Sequence, residues 1–382
     1  MKTDAVRSLT AAPGPFVSLL VDDSHDTHDA VEQAEARWTG ISRQLEDRDV
    51  ADDVIAALKR AVLHSTPVVG RKGRLVIAGP DEVLVNEQLD HAPPATLIRV
   101  SDYPYLLPLV ELTVSHPAYV VASVDHLGAD LTVHDRQNVH TETVEGPGYP
   151  VHKPAAAGWH GYGDVERSTE EAVRMNVRSV ADRITELVTT SGAEVVFVSG
   201  EVRARTDVIS ELPAHIGTHA VALPAGAHGC RATESELADV IAAEFARRQH
   251  TVTEAVLDRF QAEDARGSGL AVQGLPAVCA ALRDGAVDTL IVGQLGSATV
   301  VSGRDRTTVA ADADSLSESG EAPCRIAPAD EVLPFVAVAT DASVVCAGDE
   351  VALADGIAAM RRYPVSGTVA AAAVRQPQPS EA

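Results

Sequence analysis

The sequence predicts an α/β protein of three domains. Short β-rich runs alternate with amphipathic helical stretches along the whole chain, the pattern of layered α/β folds. The 382 residues are long for one hydrophobic core and comfortable for two or three. Hydrophobic residues make up 45% and charged residues 23%, so most of the chain can bury a core. The block boundaries fall at 1–117 (N-terminal α/β), 118–262 (middle) and 263–374 (C-terminal α/β), with a disordered tail at 375–382.

In the first block, residues 13 to 21 (Pro-Gly-Pro-Phe-Val-Ser-Leu-Leu-Val) follow a turn and read as a strand. Helices follow over 28–47 and 51–64. Val68 to Ile77 reads as a hairpin turning at Gly70-Arg71-Lys72-Gly73, and Val83 to Asn86 as a short strand. Pro93, Pro94, Pro104 and Pro108 make 91–108 an irregular connection.

The middle block opens as strand, turn, strand: Tyr119 to Asp125, His126-Leu127-Gly128, then Ala129 to His134. A loop rich in glycine and proline occupies 146–163. A long helix spans about 165–190, where Val173, Val177, Val180, Ile184 and Leu187 recur at spacings of three and four. Glu194 to Ser199 and Ala220 to Leu223 read as strands, and 233–259 as helix. In the third block, Gly274 to Arg283 is a helix ended by Gly285, and Val287 to Val292 is a strand. Residues 310–322 read as a mobile acidic loop. Pro334 to Thr340 and Ser343 to Cys346 read as strands, and Gly356 to Arg362 as a last helical turn. No internal repeat of 20 to 50 residues is present.

Charge and missing motifs exclude several functions. With 31 basic against 55 acidic residues the net charge is -24, which argues against loose binding to DNA or other polyphosphates. A large RNA gripped at a few basic points remains compatible with it. No apolar run reaches membrane-spanning length, and the start of the chain lacks a secretory pattern, so the expected location is cytoplasmic, with no membrane partner. Cys230, Cys279, Cys324 and Cys346 lie far apart and form no CxxC pair, which predicts neither a zinc knuckle nor a disulfide scaffold. There is no P-loop, no HExxH and no GxSxG elbow. Gly267-Ser268-Gly269 begins like a dinucleotide fingerprint, but Val272 stands where its third glycine belongs. His134 with His140, or His215 with His219, lack a third ligand of metal-binding type. No catalytic residue, metal or cofactor is therefore expected.

Two segments carry a resemblance. Gly269 to Gly293 (Gly-Leu-Ala-Val-Gln-Gly-Leu-Pro-Ala-Val-Cys-Ala-Ala-Leu-Arg-Asp-Gly-Ala-Val-Asp-Thr-Leu-Ile-Val-Gly) resembles the opening of the third domain of archaeal and eukaryotic class-1 release factors. There, a helix ends in "xGAV" and runs into a core strand. The order of the middle block is similar to the release-factor middle domain: a strand pair bearing Val-Asp-x-x-Gly, a glycine-rich loop, then a long helix containing arginines. In that family the loop carries a GGQ tripeptide to the peptidyl transferase centre. The resemblance covers about 118–370.

The departures matter as much. The loop at the GGQ position reads Tyr149-Pro-Val-His-Lys-Pro-Ala-Ala-Ala-Gly-Trp-His-Gly-Tyr-Gly163, with neither GGQ nor GxxQ. The first block lacks the NIKS motif that reads stop codons. The chain therefore resembles the bacterial branch of the superfamily, and within it the mycobacterial relatives of the hibernation factor Balon. That resemblance implies a ribosome-binding factor in the A site of vacant or stalled ribosomes, touching ribosomal RNA of both subunits, beside elongation factor Tu, without peptide release.

The residue chemistry agrees. Ester hydrolysis needs a positioned water and dipoles aimed at the developing oxyanion, and Ala155 to Gly158 followed by bulky Trp159 has no counterpart of the glutamine. Trp159, His160 and Tyr162, flanked by glycines, suit stacking on bases, with His152 and Lys153 near phosphates. Aromatic residues form only 3% of the chain, yet Tyr149, Trp159 and Tyr162 cluster here. The bland alternative is a mobile surface loop folded back on its domain. Arg167, Arg174 and Arg178 share one helix face and are candidate phosphate contacts, against pairing with Glu170, Glu171 and Asp182. Arg71, Lys72 and Arg74 form a basic knot at the expected hairpin tip, against a solvated turn. Two rivals stand beside this reading: a rescue hydrolase or tRNA-cleaving factor using His160 or His152 as acid–base group, and an interaction module that kept the fold and lost the ribosome.

Overall fold

The computed structural model describes residues 9–24, 29–64, 72–89, 92–111, 117–135, 138–147, 162–223, 234–348 and 351–364. It is a mixed α/β protein, with four sheets among the described residues. Contacts divide the chain into two compact units: residues 1–113 join 250–382, and residues 114–249 form the other. The first and third blocks of the sequence thus share one unit.

The first block builds an antiparallel sheet from β1 (Phe16–Asp22), β2 (Gly73–Ala78), β3 (Val83–Leu89) and β4 (Leu97–Ser101), in the order β3-β2-β1-β4. Side chains alternate across a strand, and β1 shows why that matters here. Val17, Leu19 and Val21 face helices Ala30–Glu46 and Asp52–Leu63, packing on Trp38, Ile41, Leu45 and Leu58. Phe16 and Leu20 face the opposite way, into a second core that includes Tyr103, Leu333 and Phe335. Both faces are covered, so the strand reads as continuously apolar. The expected hairpin at 70–73 is corrected: β2 turns into β3 at 79–82, where Gly79 N–H donates to Glu82 O (2.9 Å). Gly79-Pro80-Asp81 is the stronger turn chemistry. The segment read as irregular also holds β4, whose ladder lies between Pro94 and Pro104.

The second unit has β5 (Tyr119–Val124), β6 (Gly128–His134), β7 (Val139–Glu145), β8 (Val195–Gly200) and β9 (Ala220–Ala222), in the order β7-β6-β5-β8-β9. β8 pairs parallel to β5 and to β9; the β5-β6-β7 meander is antiparallel. Val120, Ala122 and Val124 face helix Tyr162–Ser191, whose Val177, Val180, Ile184 and Leu187 form the expected stripe. Tyr119, Val121, Val195 and Phe197 face the other way, against Ile241 and Phe245 of helix Glu234–Arg266. Helix Val202–Glu211, not anticipated, completes the first of these faces with Ala204 and Val208.

In the third block β10 (Ala271–Gln273), β11 (Val287–Val292), β15 (Ser343–Cys346) and β16 (Ile357–Arg361) form a sheet in the order β10-β16-β11-β15. β12 (Thr299–Ser302), β13 (Val309–Ala310) and β14 (Arg325–Pro328) form a smaller one. Three expectations fail here. Pro334 to Thr340 belongs to helix Ala329–Ala339, which is buried nearly all round, so its apolar run carries no periodicity and its internal Pro334 imitates a helix breaker. Gly356 to Arg362 forms β16, where burial of Ile357, Ala358, Ala359 and Met360 between two strands overrides the helix preference of alanine. Residues 310–322 contain helix Ala313–Glu318, capped by Asp312, which accepts from Ser315 N–H at 2.8 Å.

The two blocks of this unit are joined by polar contacts as well as by the shared core. Arg99 donates to both carboxylate oxygens of Asp330 (3.0 and 2.8 Å) and to Glu331 Oε1 (2.9 Å), and lies 4.0 Å over the Tyr105 ring. The Tyr103 hydroxyl lies 2.7 Å from Ser302 Oγ, and its ring meets Phe335 edge-on at 5.2 Å. Arg306 donates to the carbonyls of Ala12 and Asp102.

Candidate functional site

The strand–turn–strand that opens the second unit is shaped by Asp125. Its Oδ1 accepts from the N–H groups of Leu127 (2.7 Å) and Gly128 (2.9 Å), closing the turn between β5 and β6. Gly128 then passes so close to β7 that a Cβ there would lie 2.0 Å from Val144 O. The expected Val-Asp-x-x-Gly element is therefore a backbone device, with the aspartate as acceptor and the glycine making room.

The loop leaves this turn region by way of Gly146. Gly146 N–H donates to Leu127 O (2.8 Å), and a Cβ on Gly146 would lie 2.1 Å from the Asn176 side chain. Asn176 is buried on the long helix and donates through Nδ2 to His126 O at 3.0 Å. One polar residue on the apolar stripe thus fixes the helix against the point where β7 ends. Sequence reasoning passed over Asn176; its signal was a carboxamide between Val173 and Val177. It also passed over Arg183, which clasps Glu142 of β7 through two bonds (2.5 and 2.7 Å) and Glu186 through another (2.5 Å). That guanidinium holds the Glu142 carboxyl below its ordinary value.

The expected contact residues fall as follows. His152, Lys153, Trp159 and His160 lie outside the described residues, as does Arg71. Tyr162 and Arg167 belong to helix Tyr162–Ser191, but their side chains lie outside the description. Arg174 and Arg178 are exposed on that helix; the first lies 3.5 Å from Glu171, and the second donates to Glu211 at 3.1 Å. Both are held by carboxylates at the surface, where such pairs are weak enough to exchange for a phosphate. In the other unit, the Lys72 carbonyl accepts from Asp23 N–H (2.9 Å). Arg74 is corrected. It is 5% exposed, donates to Asp23 (2.8 Å) and Asn86 (2.9 Å), and is committed to the interior of its sheet. It lies within the strand, opposite Gln88, and not at a turn tip.

The histidines weighed as ligands have other surroundings. His134 stacks on Tyr119 at 4.5 Å and nearly parallel, and burial lowers its pKa. His140 lies 3.8 Å from Glu142. Among the described residues no group of three histidine, cysteine or acidic side chains is placed to hold a metal, and no helix is long and apolar enough to cross a membrane.

A family model matches residues 118–266, the whole of this meander, loop and helix pair: bacterial archaeo-eukaryotic release factor family 2. Two uncharacterized proteins of Mycobacterium tuberculosis are each 52% identical over 363 residues, covering 95% of this chain and 97% of theirs. The chain belongs to this bacterial release-factor family. Among solved structures, Pelota from Archaeoglobus fulgidus is similar at 15% identity and a TM-score of 0.39, covering 96% of this chain and 94% of its own. An archaeal translation termination factor is similar at 17% identity and a TM-score of 0.24, covering 94% and 96%. Likenesses of this size carry no weight for the family, which is named by the match over residues 118–266.

Proposed function

We propose that this family member binds ribosomes as a hibernation factor of the Balon kind. It would occupy the A site of vacant or stalled particles and direct the 149–163 loop toward the peptidyl transferase centre without releasing peptide. The observation that carries the reading is the loop sequence itself. In a release-factor-family chain it runs from Gly146, fixed against Asn176, into the long helix, and it reads Ala-Ala-Ala-Gly-Trp-His-Gly where GGQ is the family's tool. Trp159, His160 and Tyr162 offer stacking surfaces, and His152 and Lys153 offer phosphate contacts. Arg174 and Arg178 extend those contacts along the helix, and Arg167 shares that expectation. The acidity of the rest of the chain confines RNA contact to these points. Elongation factor Tu is the proposed neighbour, and Lys72 and Arg71 the proposed small-subunit contacts.

Sucrose-gradient co-sedimentation with ribosomes tests the binding, and peptide release from a peptidyl-tRNA complex tests the loss of chemistry. The expected result is co-migration without release. Failure to co-migrate removes the ribosome from the reading, and release at a useful rate replaces it with a rescue hydrolase. Trp159→Ala combined with His160→Ala should weaken ribosome affinity by about tenfold or more, as loss of one or two stacked bases would. Unchanged affinity would remove the loop from the interface.

A further inference from the structure

β7 is the outer strand of its sheet, and its far edge is bare among the described residues. The ladder to β6 runs from Gly128↔Glu145 to His134↔Val139 with no shift. Its two flanking bonds, Gly146 N–H to Leu127 O and Asp135 N–H to Asn138 O, identify the hydrogen-bonded pairs. Such pairs recur at every second residue of an antiparallel ladder. His140, Glu142 and Val144 therefore bond to β6. The N–H and C=O groups of Val139, Thr141, Thr143 and Glu145 point outward, one set every ~6.8 Å.

Natural edge strands are usually blunted by proline, by lysine, by a bulge or by being very short. Val139–Glu145 has seven residues, an unbroken register, no proline and no lysine. Its composition is β-favouring, with valine and threonine at four of those positions. Val139 is 66% exposed, and Thr141, Thr143 and Glu145 are exposed as well. Their cross-strand neighbours on β6 are Asp130, which accepts from Thr143 at 2.8 Å, Thr132, which meets Thr141 at 3.2 Å, and His134, opposite Val139.

Charge selects the occupant. From 117 to 147 the sequence carries Asp125, Asp130, Asp135, Glu142 and Glu145 against the single cation Arg136. Arg183 neutralises Glu142 from the inner face, leaving Asp130 and Glu145 beside the edge. An RNA backbone would be repelled there. A second copy of the chain would bring the same carboxylates and a net charge of -24.

We propose that β7 docks an extended, lysine- or arginine-bearing segment of a partner protein, which adds one strand to the sheet. Main-chain bonds to Val139, Thr141, Thr143 and Glu145 hold the segment, and its cations meet Asp130 and Glu145. The inference does not depend on the ribosome reading, and its test needs no ribosome.

The probe is an acetylated octapeptide alternating lysine and valine, added to the full chain, with hydrogen exchange followed residue by residue. Exchange at Val139, Thr141, Thr143 and Glu145 should slow by about tenfold or more near saturation. A glutamate–valine octapeptide should leave it unchanged. Thr141→Pro removes one outward donor and leaves the β6 ladder intact, as unchanged protection at Leu131 and Val133 would confirm. It should weaken binding by about tenfold, while Thr141→Val binds as the parent does. Should the proline variant not fold, a lysine–valine peptide N-methylated at alternate residues serves instead and should not bind. The proposal is overturned if the edge amides are unprotected, if the acidic or N-methylated peptide protects them equally, or if Thr141→Pro binds normally. Protection by oligouridine, or by raised protein concentration without peptide, would likewise overturn it in favour of RNA or self-pairing.

Discussion

Asn176 and Gly146 are a matched pair: a Cβ on the glycine would sit 2.1 Å from both Cγ and Oδ1 of the buried carboxamide. The contact ties the long helix to the end of β7. Gly146→Ala should cost about 1–3 kcal/mol in urea denaturation, because Asn176 is packed and cannot swing away. Asn176→Ala alone should cost about 1–2 kcal/mol for the lost bond to His126 O. The double variant should be more stable than the sum of the two predicts, since the second substitution opens the space the first requires. Simple additivity would show that the two residues do not press on each other.

In the other unit, Arg99 neutralises a buried carboxylate. Glu331 is 3% exposed and takes its described bond from Arg99. Arg99→Met leaves that carboxylate buried without its cation, and should cost about 3–5 kcal/mol in thermal or urea unfolding. Arg99→Met combined with Glu331→Gln should recover much of the loss. A cost below about 1 kcal/mol for the single change would mean that water already reaches Glu331.

Glu244 makes the acid limb of stability testable. Arg247 first, then Arg248, hold its carboxyl at about 2, down from the ordinary 4.5. The folded value lies below the unfolded one, so the contribution is complete above 4.5 and is lost as pH falls toward 2. Urea midpoints of the parent should drop across that window more steeply than those of Glu244→Gln. Added salt should narrow the gap, because Arg247 is largely exposed. Parallel curves would exclude the cluster as a source of pH dependence.

Two of the thiols should differ sharply toward iodoacetamide. Burial pushes Cys279 up to about 12, and its side chain is fully enclosed, whereas Cys324 is exposed. The thiolate is the reactive form. In native protein near pH 8, Cys324 should alkylate readily and Cys279 only after denaturant is added. Early labelling of Cys279, read by peptide mass, would show that the core around helix Leu275–Arg283 opens.

Much of the fold was legible where periodicity was clean. Helices Ala30–Glu46 and Asp52–Leu63, the stripe of Tyr162–Ser191 and strands β5, β6, β8 and β11 all follow from spacing and boundary residues. Helix Ala329–Ala339 was not, because an element buried on every side has no polar face to announce its period. β16 was not, because its small residues are fixed by neighbours distant in sequence. At the site, Asp125 and Gly128 were legible as a motif and proved to be turn chemistry. Arg74 misled because charge density along the chain does not reveal which way a strand residue points. The loop residues His152, Lys153, Trp159 and His160 rest on sequence and family alone.

The core shared by Phe16, Tyr103 and Phe335 sets an order on synthesis. The first hundred or so residues to emerge from a translating ribosome carry one finished face and one raw one. The raw face waits for a helix encoded more than two hundred positions later. Until that helix arrives, the nascent chain exposes an oily sheet to its surroundings, so any message cut short after the middle region yields a product prone to clump rather than a working fragment.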